Sequence, residues 1–317
     1  MKKSLKSINE LFIRKIIDFK NSFFSNPFAE ILMIHRVRSQ SSDNLPFFED
    51  MSICPEFLES YILNKIKLGY EFISIDNLIF LLKNKTKIKH NKYLVLTVDD
   101  GYKDTYLNLY PILLKHEIPF IFYLSSSFPN KKIALWWNYL NEIIISSDKL
   151  ILKDKRVFDI SNLILKQKIY LKLSKEILKM GTDISSEFGN VFYDDYDFIS
   201  KKYSNELISW DDIITMNKST LCTIGAHTNM HFGLRFSSTE LINKDIKENI
   251  NDINNILDIV PKHFAYPYGT YFSVGHREFN IAKKFEFISA VNTYSSKIYN
   301  SDKNHIFSLP RTVLKNE

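Results

Sequence analysis

Eight short apolar runs, rich in branched and aromatic residues and separated by helical patterns, set the character of the chain from Ile31 onward. They lie at 31–34, 72–75, 94–98, 120–124, 221–224, 264–266, 287–291 and 306–309. Buried strands that alternate with helices predict an α/β fold with parallel pairing, because parallel strands are covered on both faces and read as continuous apolar segments. Between them, 55–68 carries Phe57, Leu58, Ile62 and Ile66 on one helical face, and 240–257 carries Ile242, Ile246, Ile250 and Ile253. Seven or eight such units predict a barrel rather than an open sheet, and 317 residues are enough for one. The expected organisation is an N-terminal extension over 1–28 and one barrel over 29–317. Between about 130 and 205 the alternation lapses into a Lys-rich stretch with helical patterning at 163–180. This reads as a helical insertion on one barrel loop, serving as a lid or a substrate-binding wall.

Hydrophobic residues at 45% and charged residues at 25% rule out a disordered or coiled-coil chain. The excess of 42 basic over 36 acidic residues is too dilute to predict a nucleic-acid partner. Cys54 and Cys222 stand alone, which excludes a disulfide framework or a cysteine zinc site. No apolar run has the length of a membrane span. Leu5, Ile8, Leu11, Phe12, Ile16 and Phe19 recur at helical spacing among basic residues, but Arg14, Lys15, Asp18 and Lys20 break any export-signal core. Residues 5–24 therefore predict a basic amphipathic helix that packs on its own domain or makes peripheral contact with a membrane. The expected location is cytoplasmic, at most peripheral at the inner membrane face.

Three clusters carry chemistry. Asp99 and Asp100 follow a buried run and precede Gly101, at the strand end where α/β folds place their sites. Asp-Gly alone is an ordinary turn. Two adjacent anions beside an apolar core repel each other and lose hydration unless a cation compensates. His227 and His231 again follow an apolar run, four apart, and neutral imidazole is a preferred zinc ligand. With Asp100 they would form an Asp-His-His set with open positions, suited to a catalytic ion. The third cluster, Tyr266-Pro267-Tyr268-Gly269, is either an aromatic turn or a turn that aims a backbone N–H at an oxyanion. His35 and Arg311 sit at strand ends as single candidates.

On these residues the sequence resembles the polysaccharide deacetylase family, the NodB homology domain of carbohydrate esterase family 4. The resemblance runs from about 31 to 314, outside the 130–205 insertion. Thr97-Val98-Asp99-Asp100-Gly101 is similar to the family's T-F-D-D-G motif, with Val98 for Phe, and His227 to His231 fits its H-[ST]-x-x-H motif. The resemblance implies a distorted (β/α)7 barrel, a divalent metal, usually Zn2+, on Asp100, His227 and His231, and Asp99 as catalytic base. It maps the oxyanion-binding Tyr of the R-x-P-Y motif to Tyr268, while the motif's Arg falls on Ala265; Arg311 is the candidate replacement. The late L-x-H motif that supplies a general acid has no match, since His305 lies in another context. His35 instead resembles the opening histidine of the branch with the biofilm poly-N-acetylglucosamine deacetylases, and is expected to act, protonated, as the acid. Tyr266, Pro267 and Trp210 are expected to bind substrate, with Trp136 and Trp137 as further stacking candidates. The implied function is metal-dependent removal of N-acetyl groups from a sugar or surface-polysaccharide intermediate. The competing readings are a non-catalytic carbohydrate-binding relative and an O-acetyl esterase.

Overall fold

The computed structural model describes residues 27–41, 43–84 and 92–316. The amphipathic segment at 5–24 lies outside them. Eight parallel strands form one curled sheet: β1 (Ala29–Ile34), β2 (Glu71–Phe72), β3 (Tyr93–Asp100), β4 (Phe120–Leu124), β5 (Cys222–Ala226), β6 (His263–Ala265), β7 (Ser289–Val291) and β8 (Thr312–Val313). Their order is β7-β6-β5-β4-β3-β1-β8, and β2 pairs with the first two residues of β3, just below the point where β4 begins. All eight residues of β3 are buried, as its position between β1 and β4 requires.

Side chains alternate across the sheet. Leu96, Val98, Phe120, Phe122 and Ile224 face a helical layer that includes α1 (Pro55–Lys67), α3 (Tyr110–Lys115), α8 (Trp210–Asn217) and α9 (Thr239–Leu257). Tyr93, Val95, Ile121, Tyr123, Ala265 and Val291 face the interior of the curl. Helix α2 (Ile75–Lys83), capped by the Ser74 hydroxyl, closes the lower end with Leu78, Ile79 and Leu82. The gap between β7 and β1 is bridged by one segment: Leu309 pairs with Val291, and β8 pairs with β1 through Leu32↔Thr312 and Met33↔Val313. The result is a distorted (β/α)7-type barrel.

The lapse in strand alternation corresponds to a helical insertion between β4 and β5. It comprises α4 (Trp136–Ile145), a hairpin of Lys149–Ile151 and Val157–Asp159, α5 (Leu163–Met180), α6 (Ile184–Val191) and α7 (Tyr196–Lys202). Tyr139, Leu140, Ile144, Leu173, Phe188 and Phe192 give it an apolar cluster of its own. Helix α10 (His276–Lys284) follows β6. Among the described residues, no helix is long and apolar enough to cross a membrane.

The strand expected at 306–309 is displaced. The chain turns there, with Ser308 N–H donating to the His305 carbonyl, and Pro310 has no N–H to offer a ladder, so regular pairing begins only at Thr312. The strand expected at 72–75 ends at Phe72, because Ser74 starts α2. In the other direction, β3 extends past Val98 and takes both aspartates into the ladder.

Candidate active site

The register of β3 on β4 places Asp99 opposite Tyr123 and Asp100 opposite Leu124, at the C-terminal edge of the sheet. Asp99 continues the inward face after Val95 and Thr97. Asp100 adopts φ +79°, which ends the alternation and accompanies a carboxylate set against the two imidazoles. Gly101 is needed immediately afterwards, since a Cβ there would lie 2.5 Å from Phe128 Cβ. Thr228, His231 and Tyr268 also have positive φ, at 64°, 51° and 60°. Left-handed backbone is uncommon for such residues and persists where surrounding structure enforces it.

For the histidine loop, that structure is α9. Asp245 accepts the Asn229 N–H at 2.9 Å and the Met230 N–H at 3.0 Å, one on each carboxylate oxygen. Asn249, fully buried, accepts the His227 N–H and donates to the Leu124 carbonyl. Burial, opposed by those backbone donors, pushes the Asp245 carboxyl up to about 7. Neither residue was singled out from sequence. The available signal was Asp245 and Asn249, two polar side chains at helical spacing on the stripe of Ile242, Ile246 and Ile253.

His227 Nε2 lies 3.3 Å and His231 Nε2 3.1 Å from Asp100 Oδ1, and the three ligand atoms fall within 4.8 Å of one another. All three side chains are buried. His227 Nδ1 is 2.8 Å from the Ala265 carbonyl, which can only accept, so the proton sits on Nδ1 and the Nε2 lone pair faces Asp100. His231 has no such support: its Nδ1 is buried without a partner, and its ring is held between Tyr268, with ring centroids 4.7 Å apart, and Trp137, at 5.5 Å. Asp100 Oδ1 is itself buried without a hydrogen bond despite two nitrogens close by. Burial alone would raise the Asp100 carboxyl, but His231, then His227, hold it well below the usual carboxylate value. An orphaned buried oxygen facing two imidazole nitrogens fits a divalent cation, and one carboxylate with two imidazoles is a donor set suited to zinc.

Asp99 is gripped from the closing segment. Arg311, with no exposed surface, donates to Asp99 Oδ1 at 2.7 Å through Nη1 and to Oδ2 at 2.6 Å through Nη2. Its Nε donates to the Asn292 carbonyl and Nη1 also reaches Thr97 Oγ1. This bidentate fork fixes the carboxylate plane as well as its charge. Burial alone would raise the Asp99 carboxyl; the Arg311 guanidinium, followed by His227, outweighs it and leaves it below the ordinary value.

His35 follows β1, the neighbour of β3, and senses the charges of Asp100 and Asp99. Burial lowers its pKa against the pull of both carboxylates, and its Nδ1 is buried without a partner. The protonated state expected from sequence is therefore disfavoured at rest. At Tyr268 the Gly269 N–H donates to the Pro267 carbonyl at 2.7 Å, closing a three-residue turn of the strained, positive-φ kind around Tyr268. Its hydroxyl donates to the His231 carbonyl.

Two expected substrate contacts are not brought here. Tyr266 is 1% exposed, donates to the Phe307 carbonyl and packs on Phe264 and Phe279. Trp210 packs on the cluster between sheet and helices, with its indole N–H on Asn130. Tyr266 is held by apolar packing just past β6, and Trp210 is partly buried against the helical layer. Pro267 is buried and shapes the Tyr268 turn. Trp137 does reach the site, donating to the Tyr102 hydroxyl beside His231.

The family model described as polysaccharide deacetylase matches residues 86–284. No curated protein sequence matches the chain. Among solved structures, the chain is similar to the Streptococcus pyogenes deacetylase PplD in complex with acetate, at 16% identity and TM-score 0.60, over 92% of this chain and 94% of that one. It is similar to IcaB from Ammonifex degensii at 15% identity and TM-score 0.57, over 92% and 93%. A de-N-acetylase from Aggregatibacter actinomycetemcomitans matches at 16% identity and TM-score 0.57, over 90% and 95%.

Proposed function

Since the chain belongs to the polysaccharide deacetylase family, we propose that it is a divalent-metal-dependent hydrolase that removes N-acetyl groups from a carbohydrate, with Zn2+ as the ion. The observation that carries this reading is the convergence of Asp100, His227 and His231 around one buried, unpartnered carboxylate oxygen, beside a second carboxylate locked by Arg311. The missing motif arginine was the reason to consider a relative without turnover; a guanidinium on Asp99, supplied by Arg311, removes that reason.

Asp100, His227 and His231 would hold the ion, which supplies Lewis acidity toward the acetyl carbonyl and brings the pKa of a water from 15.7 toward about 7. Asp99, kept ionised and oriented, accepts the proton that the attacking water gives up. A C–O bond forms to the acetyl carbon, and the Tyr268 backbone N–H stabilises the oxyanion. Collapse breaks the C–N bond, and the amine leaves with a proton delivered by His35. Because burial keeps His35 neutral at rest, Asp99 first passes on to it the proton taken from the water, and His35 then delivers that proton to the amine, which leaves both side chains as they began. The products are acetate and a free amino sugar, with the carboxylic proton released to solvent.

The test is acetate release from N-acetylated and matched O-acetylated sugars by enzyme loaded with zinc and by enzyme stripped with a chelator. Amide hydrolysis restored by zinc supports the proposal. Hydrolysis unaffected by chelation, or confined to esters, overturns it.

A further inference from the structure

The two histidines of the proposed ion site are held in different ways. His227 gives its Nδ1 proton to the Ala265 carbonyl, the usual arrangement that fixes the plane of a coordinating imidazole. His231 Nε2 faces Asp100 while its Nδ1 is buried without a partner, so no hydrogen bond from the ring sets its orientation. Aromatic rings take over that task. Tyr268 meets it with ring centroids 4.7 Å apart and Trp137 with centroids 5.5 Å apart, both edge to face. Trp136, the preceding residue, packs in turn on Tyr268, with centroids 6.3 Å apart. The first turn of α4 thus supplies one ring that flanks His231 and backs the other.

A ring contact orients its neighbour only as firmly as the ring itself is fixed, and Trp137 is fixed by a relay of partners. Its indole N–H donates to the Tyr102 hydroxyl, just past β3. The Arg36 guanidinium covers the Tyr102 ring 4.1 Å from its centroid, and Phe128 meets that ring edge-on at 5.5 Å. Arg36, which follows His35, is anchored by two carboxylates: Nε donates to Asp104 at 2.8 Å, and Nη1 donates to Glu206, just past the end of the insertion. Asn138, next to Trp137, donates its side-chain amide to the same Glu206, and Asn141, one turn further along α4, accepts the Leu45 N–H. The exit from the insertion is pinned too, since the Ile208 N–H donates to the Gly101 carbonyl, beside Asp100. Both ends of the insertion are therefore fastened to the segments that carry Asp100 and His35.

We propose that Trp137 is a positioning residue that orients the His231 imidazole toward the ion in place of the missing hydrogen bond, so that the helical insertion forms part of the metal centre. The proposal rests on the zinc-dependent reading of the site. Zinc affinity is measured by competition with a chromogenic chelator, and the visible spectrum is recorded with Co2+ in place of zinc, because a ligand that has turned alters both. The thermal midpoint of metal-free protein is measured alongside, since a purely structural role would move that value alone. Trp137→Leu removes the ring, Trp137→Phe keeps a ring without the N–H, and Tyr102→Phe removes only the hydroxyl that accepts it. Trp137→Leu is expected to shift the Co2+ bands and to weaken zinc about 10–100-fold, the range for groups that orient a ligating histidine. Trp137→Phe and Tyr102→Phe are each expected to lose about three- to fivefold, within the worth of one neutral hydrogen bond. The double variant should lose no more than Trp137→Phe alone, because both changes break the same bond. Wild-type affinity and an unaltered Co2+ spectrum in Trp137→Leu overturn the proposal, and so do losses that multiply in the double variant. The second result decides the matter should Trp137→Leu fail to fold. Wild-type protein that binds zinc no better than His231→Ala overturns the ion site itself, an outcome distinct from tight wild-type binding that Trp137 leaves untouched.

Discussion

Arg311 and Asp99 are 212 positions apart in the chain, yet their two parallel N–H···O bonds of 2.7 and 2.6 Å make them one buried unit. Removing one partner strands the other charge, so Arg311→Leu is expected to cost about 3–5 kcal/mol of stability at pH 7 in urea unfolding. The sign with pH is definite. In wild type the folded Asp99 carboxyl lies below 3.8, so its contribution is fully present above about that pH and fades as pH falls further. In Arg311→Leu the largest charge opposing burial is gone and only His227 and His35 still oppose it, so the carboxyl rises relative to wild type and the deficit should narrow as pH is lowered from 7 toward 4, where protonation relieves the stranded charge. A deficit that is flat over that interval contradicts the assignment. Asp99→Asn should lower zinc-dependent acetate release by about 10²–10⁴-fold while bound zinc, measured by elemental analysis, is unchanged. Asp99, Asp100, His227 and His231 were legible as candidates because charged or metal-binding side chains directly after apolar runs are conspicuous. The Arg311 contact was open to conjecture only, since nothing in a linear sequence tells which strand end will face which.

Helix α9 shows how an element far from the chemistry shapes it. Its Asp245 and Asn249 hold the 227–230 backbone from below, and the strained φ values at Thr228 and His231 depend on that hold. An amide at 245 can accept with one oxygen where the carboxylate uses two, so Asp245→Asn is expected to weaken zinc binding about 10–100-fold in competition with a chromogenic chelator, with helical circular dichroism unchanged. Unchanged affinity would mean that the loop keeps its shape without this carboxylate. At the other end of the strands, His263 bonds to Ser289 and Asp76 in the connectivity of a hydrolytic triad. Ser289 is fully buried, so this set ties α2 to β6 and β7 and offers no nucleophile. Strong periodicity made α9, α5 and the long apolar strands readable from sequence, because their burial pattern repeats over many residues. β8 was misplaced by a few positions because two residues carry no period and Pro310 shifts the pairing. Trp210 was expected at a sugar and packs instead on the cluster between sheet and helices, a difference that sequence does not show because an aromatic near a strand end looks the same in either setting.

At the scale of the whole molecule, the proposed ion site ties together parts of the barrel that the backbone joins only indirectly. Asp100 ends β3, the two histidines follow β5, and β4 lies between them in the sheet, carrying the helical insertion onward from its own end. The side chains that converge there are buried, and without a cation the Asp100 oxygen stays unanswered. A ligand that binds only the folded chain stabilises it by RT ln(1 + [L]/Kd), about 4 kcal/mol at a thousandfold excess over Kd. For a chain of this length, that should raise the thermal midpoint by several degrees when zinc is added to chelator-treated protein. His231→Ala should abolish most of the shift, since two remaining ligands cannot hold the ion comparably, while Asp99→Asn, outside the ligand set, should keep it. An equal shift in wild type and His231→Ala would place the stabilising zinc elsewhere on the surface. The pairing of these two variants separates holding the ion from using it, because one side chain faces the imidazoles and the other faces the arginine that closes the barrel.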